Sequence, residues 1–495
     1  MKSRLIVIIF LLSVLFSLNA QSTPQISGLN EMQFIYRTAP DSLNAYFRDS
    51  FGFNLDYRNF TFGMKFIAEL PKYSVNQDEL IDELWPYLLS AGWKELYVKY
   101  EQDSFSILAG NMSETFGSGM NFRAWEDIEF DEDNRLTGFS LKYDNKIKLK
   151  SLYGAIPSTN DHSILEDPML DLAYGLDALY PVLDLLSLGG TAMAMRTSAD
   201  DGRYNQRDIF GGRLLFNLDP VEVNAEYSGS KLYKRENGLP AQNGSAIYST
   251  ANVNLYPFTI GAAYKRYDQF SYRLQDLPMA NYHNEPLEDL NPGLSEEGLQ
   301  GMLTWSAADN LSFNLDYAEA WNLEQTKHMN DLYAAVDYTI GSSFIGAEFS
   351  HLEKQNEEND TWQKELTPAL HIAFPFVGRT LSLKAQHKYL AKEKLETVDG
   401  VYGPVITDHW EPRLQADIAF GKLALSASAQ SNWEDMGAVM DSQYWTNFEA
   451  KYSAFTHTDL TLFVGREAGG KVCRNGICRY VAPFQGIKFE VATRF

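Results

Sequence analysis

Alternation with a period of two leaves this chain few folds to adopt. In FNLDYRNFTFGMKF, Phe53, Leu55 and Tyr57 alternate with Asn54, Asp56 and Arg58. After a tight turn, Phe60, Phe62, Met64 and Phe66 alternate with Thr61, Gly63 and Lys65. Such spacing gives a strand one apolar and one polar face. The same pattern returns in LSFNLDYA, where Leu311, Phe313, Leu315 and Tyr317 oppose Ser312, Asn314 and Asp316. It returns again in LSLKAQHK, where Leu381, Leu383 and Ala385 oppose Ser382, Lys384 and Gln386.

The turns between these strands come in two alternating kinds. Short ones include YRN, EQDS, YDNK, NLDP, LYPF, SAADN, TIGSS, FVGR, AFGK and AFTHTD. Longer charged stretches lie between them at 73–92, 110–136, 157–168, 197–207, 236–245, 273–298, 392–408 and 435–443. Short turns on one side and long loops on the other are the signature of an outer-membrane barrel, with periplasmic turns and external loops. The expected fold is therefore all-β: a closed antiparallel transmembrane barrel of about 24 strands (22–26).

The segment DPMLDLAYGLDALYPVLDLLSLGG admits two readings. Leu172, Leu176, Leu179 and Leu183 recur at helical spacing behind Asp167-Pro168, but a hairpin turning near YPVLD fits as well. Only the hairpin keeps every short turn on one side, so it is the expectation.

Residues 1–20 read as a cleaved secretory signal peptide, with Lys2 and Arg4 ahead of an apolar run from Leu5 to Leu18 and Ala20 at the cleavage point. The barrel is then expected over 21–495, with no separate plug domain. No later apolar run reaches the roughly 18 residues of a helical span. Mean hydropathy of −0.30 suits a wall that needs an apolar residue only at every second position. The formal net charge is −23, which argues against nucleic acid as a partner and leaves a solvated acidic surface or cation handling. The expected surroundings are outer-membrane lipids, and no cofactor is expected.

The most site-like stretch is ETFGSGMNFRAWEDIEFDEDNR, residues 114–135. Its Gly117-Ser118-Gly119 lacks the lysine and strand-to-helix context of a phosphate loop. Asp127, Glu129, Asp131 and Asp133 alternate without the glycine and closing glutamate of a calcium loop. Glu129, Asp131 and Asp133 remain candidates for a loose divalent-cation contact. Arg123 is expected to pair with Glu114, Glu126 and Asp127. These charges would either solvate an external loop or constrict a lumen and set its selectivity. A second constriction candidate is 73–92, which has the spacing of a short helix.

Cys473 and Cys478 flank an Asn-Gly turn, and in an exported chain they are expected to form a disulfide at a loop tip. The histidines are scattered, with His283 and His409 expected in loops. No nucleophile motif has its accompanying elements, so no enzymatic activity is expected.

In GIKFEVATRF, Ile487, Phe489, Val491 and Phe495 share one face, opposite Lys488, Glu490 and Arg494. This ending resembles the signal read by the barrel-assembly machinery, which is the expected partner. NMSETFGSGMNFRAWEDIEFDEDNRLTGFSLKY and GGKVCRNGICRYVAPFQGIKFEVATRF resemble motifs of a family of large bacterial outer-membrane proteins of unknown function. Glu114, Phe116, Gly117, Gly119, Arg123, Ala124, Glu126, Asp133-Asn134, Cys473, Cys478 and Arg479 carry the likeness. Where that family more often has a tyrosine pair, this chain has Met112-Ser113. The resemblance implies a porin-like barrel and supplies no substrate. The expected function is a passive or weakly selective channel for small solutes or ions, with a non-conducting cell-surface scaffold as the alternative.

Overall fold

The computed structural model describes residues 23–38, 45–70, 90–127, 132–158, 170–198, 204–233, 242–288, 292–358, 361–398, 401–435, 440–474, 477–481 and 483–495. Strand after strand pairs antiparallel with its neighbour in sequence, from Gln25–Arg37 to Phe484–Arg494. These two then pair with each other, from Leu29 opposite Arg494 to Arg37 opposite Gly486. The result is a closed sheet of 24 strands. Closure satisfies every strand edge within the wall, the condition for backbone to sit in hydrocarbon.

Register fixes which face looks in. Phe34, Phe47 and Phe489 stand side by side on adjacent strands, and two pairs of these rings are in contact. On that outer face Phe139, Tyr153, Phe210 and Tyr227 are all more than half exposed. A contiguous apolar surface of this extent calls for an apolar surround. The alternate residues look inward, and most are polar: Glu31, Gln33, Arg48, Asn54 and Lys65 line the first strands.

The ambiguous leucine-rich segment is a hairpin. Strands Leu170–Leu183 and Leu186–Ser198 pair directly, because the inward set of Asp171, Ala173, Gly175 and Asp177 alternates with outward leucines. The stretch 392–408, expected as a loop, is instead wall. Strands Arg379–Val398 and Val401–Phe420 run through it in unbroken register. Its charged residues Lys392 to Glu396 and Asp408 lie on the strands of a long hairpin, and His409 likewise sits on a strand. The long-loop side is also uneven, since the connection 322–326 there is only five residues long. Of the 73–92 helix expectation, 73–89 lie outside the described residues, while Ser90 to Gly92 belong to a strand.

Ile487, Phe489, Val491 and Phe495 share the outer face with Phe34. At the seam, Gly28 and Phe495 exchange backbone bonds of 2.8 and 3.1 Å. Gly486 adopts φ +147°, and a Cβ there would lie 1.9 Å from the Tyr36 carbonyl oxygen. Gly486→Ala should therefore destabilise closure by about 1–3 kcal/mol. Heat-dependent gel mobility would report a smaller fraction of closed barrel, and an unchanged fraction would contradict this account.

Candidate functional site

The described parts of two long loops, 113–127 with 132–135 and 269–288 with 292–294, fold into the barrel. In the first, Glu114–Phe116 pairs with Phe122–Ala124 in a small ladder. Period two puts Glu114, Phe116, Phe122 and Ala124 on one face, where all are buried. Phe116, Met120 and Phe122 pack with Met193, Met195 and Ile209 of the wall and with Phe270, Leu274 and Leu277 of the second loop. A wide barrel has no apolar centre of its own. This core exists because the loops bring it.

The Gly-Ser-Gly turn sits at the inner tip of the first loop. Gly117 has φ +60°, and a Cβ there would come 2.3 Å from Glu226 Oε1 on the wall. The close approach lets the Ser118 amide donate to Glu226 Oε2 at 3.0 Å while Asn121 Nδ2 donates to Oε1 at 2.8 Å. The turn thus already holds an internal carboxylate.

Backbone bonds join the loops: the Arg123 amide donates to Leu274 O at 2.9 Å, and the Asp276 amide to Gly119 O at 3.1 Å. The Tyr272 hydroxyl reaches the carbonyls of Met120 and Asn121 at 3.2 and 2.9 Å, under the guanidinium of Arg207 at 5.2 Å. Burial pushes the Tyr272 hydroxyl well above the usual tyrosine range, so it stays a donor. The far end of the second loop is tied to the wall by Lys354 with Glu285 at 3.0 Å, and by Lys327 with Glu288. At its base lies a fully buried pair, Lys265 with Glu296, whose carboxylate also accepts the Leu287 amide at 2.9 Å.

The sequence-selected residues scatter over this plug. Among the described side chains Arg123 pairs with neither Glu114 nor Glu126, and the Asp127 side chain lies outside what is described. Arg123 stands opposite Thr115 in the ladder, on the other face from Glu114, and there it meets Asp276 of the second loop and stacks on Trp125 at 4.4 Å. Glu114 instead takes Lys142 at 2.6 Å and Ser140 at 3.3 Å.

Glu126 bridges Lys65 at 3.1 Å and Arg135 at 3.4 Å. Both oxygens of Asp133 accept from Arg135 at 2.9 Å. Burial alone would raise the Asp133 pKa, but the Arg135 bonds outweigh it and hold it below the usual aspartate value. Asp133 is therefore committed to the Arg135 guanidinium rather than to a divalent metal ion. Asp127 is placed through its backbone opposite Glu132; Glu129 and Asp131 lie outside the described residues. Cys473 and Cys478 face each other in backbone register, and their side chains fall outside what is described. Tyr272, Asp276, Glu226 and Asn121 were not anticipated, since nothing local distinguishes them from other loop and wall polar residues.

Two measurements probe this attachment. The Arg123–Asp276 pair is about two-fifths exposed, so Asp276→Asn should cost under ~1 kcal/mol. Tyr272→Phe strips buried carbonyls of their donor and should cost roughly 1–3 kcal/mol. Hydrogen exchange across 114–124 should rank them in that order, and the reverse order would refute it.

His283 Nδ1 lies 2.8 Å from Asp331, and its amide donates to the same carboxylate at 3.0 Å. Burial lowers the histidine pKa, but the Asp331 bond and charge, with Glu365 and Glu285, raise it overall above 6.5. That contribution is complete below pH 6.5 and fades as pH rises through the raised value. Exchange near 283–288 should therefore quicken on the alkaline side, and His283→Asn should flatten the profile. A profile unchanged by that substitution would sink the assignment.

In comparisons with solved structures the chain is similar to the translocation pore of the P pilus usher PapC (12% identity, TM-score 0.47, covering 95% of this chain and 99% of that one). It is also similar to the siderophore receptor PirA of Pseudomonas aeruginosa (10%, 0.48, 96% and 81%) and to OccAB1 of Acinetobacter baumannii (10%, 0.39, 74% and 96%). At these scores the likeness is one of outline, and no residue or chemistry transfers. No curated protein matches the chain. The family of unknown function DUF6029 matches residues 1–297, which include 114–135 but not the cysteine hairpin, and the protein belongs to that family.

Proposed function

We propose that the chain is a non-catalytic outer-membrane pore, narrowed by its own loops 113–135 and 269–294, that passes small solutes or ions. In this reading the short turns face the periplasm and the long loops face outward. One observation carries it: among the described residues, the plug contacts the lumen wall unevenly. Its contacts run from Lys65 and Glu95 through Glu226 to Asp331 and Lys354. Along the wall from Thr361 to Phe455, the inward Lys384, Gln386, Arg413, Gln415 and Ser428 remain only half-buried. A polar, hydrated crescent beside an apolar plug is the arrangement of a constricted channel.

The runner-up is a non-conducting scaffold, favoured by the fully buried Phe116, Met120 and Phe122 that fasten the plug. Planar-bilayer recordings on the purified barrel separate the two. A pore gives reproducible unitary steps, and replacing 114–133 by a short Gly-Ser link should enlarge them in protein that still shows heat-dependent mobility. Silence of both proteins across salts would favour the scaffold.

A further inference from the structure

Between the inner tip of the plug and the wall lies a cavity of about 550 Å³, lined by Gly117 and Ser118 on one side and by the strands running from Lys148 to Thr250 on the other. Sites for small molecules span roughly 300–1,000 Å³, so it is large enough to hold one. Its lining combines an apolar floor of Leu179, Leu215 and Tyr248 with the cations Lys148, Lys150 and Arg213 and the carboxylates Asp177 and Glu226.

The charges in it do not cancel. Asp177 is held by Arg213 through paired bonds, one of 2.8 Å. Glu226 is engaged by the Ser118 amide and the Asn121 side chain. Lys150 Nζ donates to the Thr115 carbonyl at 2.9 Å, a partner that leaves its charge uncompensated. Among the described residues Lys148 has only Asp144 at 3.8 Å, and both are mostly exposed, so water screens that pair heavily. Lys148 and Lys150 are alternate residues of one strand, so their side chains leave the same face about 6–7 Å apart. The lining thus sets three cations against two carboxylates, a net +1, with two ammonium groups above an apolar floor, Asp177 paired with Arg213 and Glu226 held by neutral donors.

We infer that this cavity binds a small organic anion, a carboxylate on an apolar body, with Lys148 and Lys150 receiving the charge and Leu179 and Leu215 the body. Tyr248 stands at the edge of the floor, where its ring covers the body. Such a site lies under the plug, on the side of the short turns, and would be the last or first stop of a solute passing it. Its role in transport rests on the pore reading; its occupancy does not.

Isothermal titration of the full barrel in detergent with cyclohexanecarboxylate, its amide and cyclohexylmethylamine tests the inference. Saturable binding of the carboxylate alone is expected. Lys148→Gln with Lys150→Gln should weaken it roughly tenfold or more, about 1.4 kcal/mol. Lys150→Arg, which keeps the charge and a donor for Thr115, should retain binding, as should Lys384→Gln on the far wall. Equal binding of the amide, indifference to the lysine pair, or the lack of saturable binding would each overturn the inference. Binding in a barrel that never conducts would uphold this site and remove the pore reading, whereas conductance without binding would do the reverse.

Discussion

Everything in this molecule depends on the antiparallel pairing of Gln25–Arg37 with Phe484–Arg494. Without it the outer wall would present two strand edges to hydrocarbon, each unpaired amide and carbonyl costing several kcal/mol. With it, the outer alternate residues face an apolar surround and the inner ones enclose a lumen. Gly28 and Phe495 extend the seam by a further exchange of backbone bonds, and the Phe495 ring stacks on Phe51 at 5.8 Å. The seam is thus covered by an aromatic cluster as well as hydrogen-bonded.

Closure creates a second problem, a lumen too wide for its own side chains to fill. The solution is local. From Leu152 to Ala246 the inward face departs from polar character: Leu152, Ile156, Ala173, Met193, Met195, Ile209 and Ala246 are all buried. That patch receives Phe116, Met120, Phe122, Phe270, Leu274 and Leu277 from the loops. The loops fold inward because their apolar residues find cover only there. Among the described residues the other apolar beds are smaller: Ala320, Met329 and Leu352 receive Leu287 of the second loop, and Ile35, Phe463 and Phe484 form a cluster by the seam.

This asymmetry explains what the sequence revealed and what it withheld. The wall was legible, since period-two patterning and turn chemistry are local: the tight turns fall where the residues place them, and hairpin 170–198 follows from keeping them on one side. Within hairpin 379–420 the strand at 381–388 was legible, whereas 392–408 was expected as a loop because the consecutive charges Lys392-Glu393-Lys394 look like loop composition. The plug was less legible. Residues 114–135 were distinctive, yet their partners are remote in sequence, and Arg123 reaches Asp276 rather than its neighbours. The run TAMAM at 191–195, apolar on alternate inward positions, was the one signal that this wall is covered from inside.

The plug's fastenings differ in kind, and the difference bears on whether it can move. Its apolar half buries Phe116 and Phe122 completely, and burying one such side chain is worth about 1.5–3 kcal/mol. Lys265 and Glu296 hold the base of the second loop in a fully buried pair, and breaking such a pair costs roughly 3–5 kcal/mol. By contrast, Arg123–Asp276, Lys327–Glu288 and Lys354–Glu285 are partly exposed, and exposed pairs are worth about 0–1 kcal/mol each. Motion that breaks only the second set is inexpensive, whereas expulsion of the whole plug must break the first. On the pore reading proposed above, gating would work through these partly exposed pairs, with Phe116, Phe122 and the Lys265–Glu296 pair staying in place.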